Sequence, residues 1–154
     1  MGEYEDALAL VKDHLDDADF ESQPEDRVAR AERVLGVRFP PTYRRFLRDL
    51  GAGGVGSEEI YGLINDDFDD FRPPQAVGLT RKFRREGQIS DGLVVIYNLG
   101  QGSYYAIDTG QVGADGEAPV VGFTPGLDKA GDDLEVVAPD FGTFFAEIIR
   151  ADVG

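Results

Sequence analysis

Gly100-Gln101-Gly102-Ser103 sets glycines and a hydroxyl at a spacing that raises the question of phosphate binding. A Walker-type loop needs a lysine and a hydroxyl directly after its last glycine, and here Ser103 and Tyr104 come after Gly102 with no lysine near. A dinucleotide fingerprint needs a helix after its glycines. The next residues are instead Tyr104-Tyr105-Ala106-Ile107, rich in β-formers and without helical spacing. Asn98, Gly100 and Gly102 tolerate positive φ, so the stretch reads as a β-hairpin connection.

Other routes to chemistry fail in the same way. His14 is the only histidine and there is no cysteine, so a Ser-His-Asp set would have to recruit a residue from an acidic helix. Carboxylates are too numerous for any pair to carry a signal. Asp66–Phe71 (DDFDDF) lacks the alternating ligands, glycine and closing glutamate of a calcium loop. Asp108, Asp115 and Glu117 could meet across the turn at 110–117, but nothing fixes a ligand count. The chain is therefore read as non-enzymatic, without cofactor or metal.

The elements that position these residues follow from periodicity. Tyr4, Leu8, Val11 and Leu15 have helical spacing, a second helix is expected near 24–35 with Gly36 as its left-handed stop, and Tyr43, Phe46, Leu47 and Leu50 mark a third. Pro40 and Pro41 suit the first turn of that third helix, which Gly51 closes. Glu59–Ile64 reads as a short strand and Leu79–Arg85 as a short basic helix. Gly92–Leu99, the stretch from Ser103 to Thr109, and Ala118–Phe123 form a meander. A closing helix starts at Asp140, its N-cap, and carries Phe141, Phe144, Phe145, Ile148 and Ile149 on one face. The expected fold is α+β: one domain over 1–154, an antiparallel sheet meander flanked by N-terminal helices and a C-terminal helix, with 1–22 as an extension and 24–150 as the core.

Charge narrows the partners. Thirty acidic residues stand against fifteen basic ones, a formal net charge of −15, which repels nucleic acid and acidic membrane surfaces and attracts basic proteins. The charge is blockwise: the run 27–48 is rich in arginine, 57–71 holds six acids and no base, and Glu86–Glu147 sets eleven acids against Lys129. The arginines of 27–48 are expected to offset part of the acidic excess inside the fold. No apolar run is long enough for a membrane span, and the acidic start lacks a signal-peptide pattern. With no cysteine, a cytoplasmic location is expected.

The stretch from Ala31 to Gly54 (AERVLGVRFPPTYRRFLRDLGAGG) resembles the opening signature of the SUKH superfamily, which includes cell-wall synthesis regulators of the Smi/Knr type. Leu35, Gly36, Phe39, Pro40, Tyr43, Phe46, Leu47, Gly51, Gly53 and Gly54 carry it. Val94–Asp108, Ala118–Phe123 and Val136–Ile149 resemble its later segments in the same order, so the likeness covers about 25–150. Two positions depart from the family pattern: Phe123 is followed by Thr124-Pro125-Gly126, and Gly142 sits in the first turn of the last helix.

The resemblance implies a protein-binding domain, in bacteria mainly an immunity protein neutralising a toxin (often a nuclease), in fungi a coordinator of cell-wall synthesis. An acidic inhibitor can occupy the basic surface of a nuclease, and Glu58, Glu59, Asp66, Asp67, Asp69 and Asp70 are the expected contacts. Tyr61, Tyr104 and Tyr105 are expected anchors, with Tyr104 and Tyr105 on opposite sheet faces. The immunity reading stands beside two others, a regulatory scaffold and a carboxylate- or metal-dependent hydrolase.

Overall fold

The computed structural model describes residues 2–13, 21–54, 59–72 and 74–153. Helices α1 (Glu3–Asp13), α2 (Glu25–Leu35), α3 (Pro41–Asp49) and α4 (Ala76–Arg85) precede β1 (Leu93–Asn98), β2 (Tyr104–Asp108), β3 (Val120–Phe123) and β4 (Glu135–Ala138), and α5 (Phe141–Val153) closes the chain. The strands form one antiparallel sheet in the order β1-β2-β3-β4. This is the expected α+β architecture.

Local rules account for most boundaries. Gly36 ends α2 at φ 69 and its N–H donates to the Arg33 carbonyl. Asp140 caps α5, its Oδ1 accepting the Thr143 N–H at 2.7 Å. Leu15 and His14 lie outside the described residues.

The sheet is covered on both faces. On one, Val94, Ile96, Ile107 and Val120 join Tyr4, Val28, Phe46, Phe141 and Phe145 from the helices. The aromatic centre is close-packed: the Phe46 ring lies 5.2 Å from Phe141 and 5.5 Å from Phe145, and Tyr4 lies 5.4 Å from Phe145. α1 therefore contributes fully buried side chains to the core, Tyr4, Ala7 and Val11. On the other face α4 lays Ala76, Leu79 and Phe83 over Leu93, Val95, Ala106, Val121 and Phe123.

Two expectations need correction. Glu59–Ile64 is not a strand of the sheet: Ile60 bridges Gly53, Gly62 bridges Gln75, and the Tyr61 N–H makes a single rung to the Ile96 carbonyl at 2.7 Å. Ile60, Tyr61 and Leu63 are buried in an irregular layer beside β1 while Ile64 is exposed, so apolarity without alternation reports burial and not strand pairing. The sheet also has a fourth strand that the meander reading lacks, β4, which is only four residues long.

Gly142 has a structural reason. A Cβ there would lie 3.2 Å from the Thr42 methyl and 3.3 Å from the Tyr4 Cβ, so the first turn of α5 packs too closely for a larger residue to enter freely. Among the described residues no helix is long and apolar enough to cross a membrane.

Candidate functional site

The acidic loop 65–72 is folded onto the chain's own cations. Asp66 pairs with Arg27 and Arg30, each at 2.8 Å, Asp69 with Arg81 at 2.7 Å, and Asp70 with Arg72 at 3.0 Å. The Arg27 hydrogen bond, with Arg30 adding, holds the Asp66 carboxyl below its ordinary range, and Arg72 does the same for Asp70. Asp67 makes no ion pair among the described residues, but its Oδ1 accepts the Asp69 N–H. Fully buried Gln75 pins the loop from below, donating to Asn65 Oδ1 at 3.0 Å and the Asp67 carbonyl at 3.1 Å. Asp66, Asp69 and Asp70 thus face Arg27, Arg30, Arg72 and Arg81, and their charge largely cancels in place.

Tyr61, Tyr104 and Tyr105 lie where β1 turns into β2. Gly100 and Gly102 take φ of 85 and 86, and the Leu99 N–H donates to the Ser103 carbonyl at 3.0 Å, so the glycines make a hairpin. Tyr104 and Tyr105 fall on opposite faces, as alternation requires. Tyr104 stacks on Phe123 at 5.7 Å and meets Phe83 at 5.1 Å. Tyr105 stacks on Tyr97 at 5.8 Å and meets Phe144 at 5.7 Å. Both are half-buried. Tyr61 is only 3% exposed and lies beneath this end of the sheet, its carbonyl accepting the Tyr43 hydroxyl at 2.9 Å. Burial raises its own hydroxyl pKa against an opposing hydrogen bond with Asn98, and Tyr104 and Glu59 add to the rise. Glu59 is exposed, and Glu58 lies outside the described residues.

Beside the hairpin, on the α5 face, is a groove of about 420 Å³ lined by Leu99, Tyr105, Gly122, Asp133, Glu135 and Val137 among others. Gly122 is its floor: a Cβ there would meet the Tyr105 ring at 3.5 Å and Val137 at 3.9 Å. The β3–β4 loop forms the rim, tied to the hairpin by a 2.7 Å hydrogen bond between the Ser103 and Thr124 hydroxyls. Asp133 and Glu135 make no ion pair among the described residues. Sequence reasoning does not name Asp128, Asp133 or Glu135, because it does not recognise β4. The signal is present in the excess of acids from Glu86 to Glu147.

Asp108, Asp115 and Glu117 do not converge. Asp108 accepts from Gly110 N–H and Gln111 Nε2, and Asp115 from Glu117 N–H. Glu117 turns toward α3, where its carboxylate accepts from the Thr42 N–H at 3.1 Å and the Thr42 hydroxyl at 2.8 Å. Burial raises its pKa above the ordinary value despite these donors, and Asp140 and Asp115 add to the rise. Among the described residues no three His, Cys, Asp or Glu side chains are placed to hold a metal ion.

The site is therefore a mostly polar, acid-rimmed groove with aromatic walls, an arrangement suited to holding another polypeptide. The model of the SMI1-KNR4 cell-wall family, SUKH_5, matches residues 4–150, from the first turn of α1 into the last turns of α5. The chain belongs to this SUKH family, which at family level supports a protein-binding domain of immunity or regulatory type.

Proposed function

We propose that this protein is an immunity protein that binds a basic toxin domain, most aptly a nuclease, and inhibits it by covering its substrate surface. The observation that carries this reading is where the unpaired negative charge lies. The arginines of 27–48 are largely spent on Asp66, Glu5, Glu25 and Glu32, while Asp133 and Glu135 on the hairpin side have no cation among the described residues. A surface that binds phosphates is basic, and acids presented beside exposed apolar side chains complement it in charge and in desolvation. The interface we propose therefore centres on Glu59, Tyr104, Tyr105, Asp128, Asp133 and Glu135. The aspartates of the 65–72 loop join it by exchanging an intramolecular arginine for one from the partner. A chain without cysteine suits a reducing compartment, and we place this action in the cytoplasm.

The test is affinity capture from the native host at low and at high salt. A single basic toxin-like protein, retained at low salt and weakened at high salt, together with rescue of cells expressing that toxin, is the expected result. Capture of a signalling or envelope protein without salt dependence would replace this reading with a regulatory role, which the family's cell-wall description favours.

A further inference from the structure

The two outer strands of the sheet are finished differently. The outer edge of β1 is closed: the Tyr61 N–H donates to the Ile96 carbonyl at 2.7 Å, and the Val95 N–H donates to buried Thr80 Oγ1 at 2.9 Å. The outer edge of β4 is not. Among the described residues, nothing outside β3 hydrogen-bonds to the backbone of Glu135–Ala138. A strand edge with unpaired N–H and C=O groups is a template for another strand unless it is covered or guarded. The guards here are slight: a register shift between Val120 and Val121, Pro139 just past the strand, and Glu135.

The surroundings of that edge are apolar as well as acidic. Val136, opposite Val121, is 53% exposed, and Leu127 on the β3–β4 loop is 80% exposed. On the other face the groove floored by Gly122 opens between Tyr105 and Val137. An added strand would alternate its side chains between these two faces. Its charged neighbours would be Asp133 and Glu135, with Asp128 and Asp132 on the adjoining loop against Lys129 alone.

We propose that β4 and the groove over Gly122 accept an extended, basic segment of a partner protein as a fifth strand. Backbone hydrogen bonds would supply the pairing, Val136 would take its apolar residues on one face, and Asp133 and Glu135 beside the groove would select lysine or arginine on the other. A second copy of this chain is the poorer occupant, because pairing through β4 would bring two bodies of net charge −15 together. The proposal rests on the protein-binding reading above and names the surface and the form of the partner.

The test uses the full chain and a synthetic peptide of about eight residues alternating lysine and valine, the length of a short strand. Amide hydrogen exchange is followed by NMR with this peptide, with one whose valines are replaced by proline, and with one whose lysines are replaced by glutamate. At saturation, exchange of outward-facing β4 amides should slow by about tenfold or more, with no such change at 65–72. The proline and glutamate peptides should not produce it. The exposed double substitution Asp133→Lys with Glu135→Lys should weaken the complex on the order of tenfold while leaving the circular dichroism spectrum unchanged. Equal binding by the proline peptide, protection confined to other elements, or a dimer that protects β4 in sedimentation and exchange would each overturn the proposal. A cognate toxin that binds and is neutralised while the β4 amides exchange freely would sink the fifth strand and leave the immunity function intact. A failure to find any basic partner, with β4 still protected by the lysine–valine peptide, would do the reverse.

Discussion

Replacing Glu117 separates two effects that its position combines. Helix α3 starts with Pro40 at the N-cap and Pro41 next, and no side chain from its own segment caps it. Thr42 carries the first amide of the helix, and the carboxylate that meets it comes from the loop between β2 and β3. Glu117→Ala removes both the cap and the acceptor for the Thr42 hydroxyl. Loss of a helix cap costs about 1 kcal/mol and loss of a further hydrogen bond roughly another 0.5–1 kcal/mol, so a fall of about 1.5–2 kcal/mol is expected. For a domain of this size that lowers Tm by roughly 3–8 °C. Glu117→Gln should behave otherwise, since its amide oxygen can accept from Thr42 N–H and its amide nitrogen can donate to the Thr42 hydroxyl. It also removes a charge that burial disfavours and that Asp140 and Asp115 repel. Because the folded pKa of Glu117 is raised above the ordinary 4.5, the stability it contributes is fully present below that value and is lost as pH rises through the folded pKa. The stability of Glu117→Gln relative to wild type should therefore increase between about pH 4 and about pH 7, read from urea unfolding at each pH. An alanine variant as stable as wild type, or a glutamine advantage that shrinks with rising pH, would refute the capping assignment.

Gly51 and Gly36 both adopt positive φ but should respond differently to alanine. At Gly51 (φ 78) a Cβ would lie 2.1 Å from the Glu21 carbonyl, whereas at Gly36 (φ 69) it meets nothing within 4 Å. Gly36→Ala should cost about 1 kcal/mol through backbone strain alone and Gly51→Ala clearly more, checked by denaturant midpoints. Asp66→Asn strands Arg27 and Arg30 at an exposed site, and the small drop in Tm it causes at low salt should disappear near about 1 M salt. Since Asp66 has a depressed pKa, its stabilisation is present above the ordinary 3.8 and lost as pH falls through the folded value, so wild type and variant should converge in acid.

What is legible in the sequence is local. Gly36, Asp140 and the Tyr104/Tyr105 alternation are set by neighbours a few residues away, and each is found where the spacing predicts it. Glu59–Ile64 misleads because burial can be met by a segment that pairs through isolated bridges, and its apolar run does not encode which backbone groups find partners. β4 escapes notice for the opposite reason: Glu135–Ala138 holds only two valines between an acid and an alanine that runs into Pro139, too few residues to show a period of two. Gly142 has no reading from propensity, because its cause is contact with Thr42 and Tyr4, far away in the chain.

The same distinction decides where a partner would meet this protein. A run of aspartates such as Asp66–Asp70 draws the eye as a binding surface, but cations distant in sequence can neutralise it on folding, as Arg27, Arg30 and Arg81 do here. Acids spread thinly along the C-terminal half, by contrast, keep their charge because Lys129 is the only base between Glu86 and Glu147. Exposed ion pairs are individually worth little, so the loop stays competent to exchange its arginines for a partner's. Among the described residues, most acids without an ion pair lie between Asp91 and Glu147, and Asp133 and Glu135 are the ones at the open edge of the sheet. Charge per segment therefore predicts the kind of partner, and only the fold, by deciding which charges cancel, predicts the face it approaches.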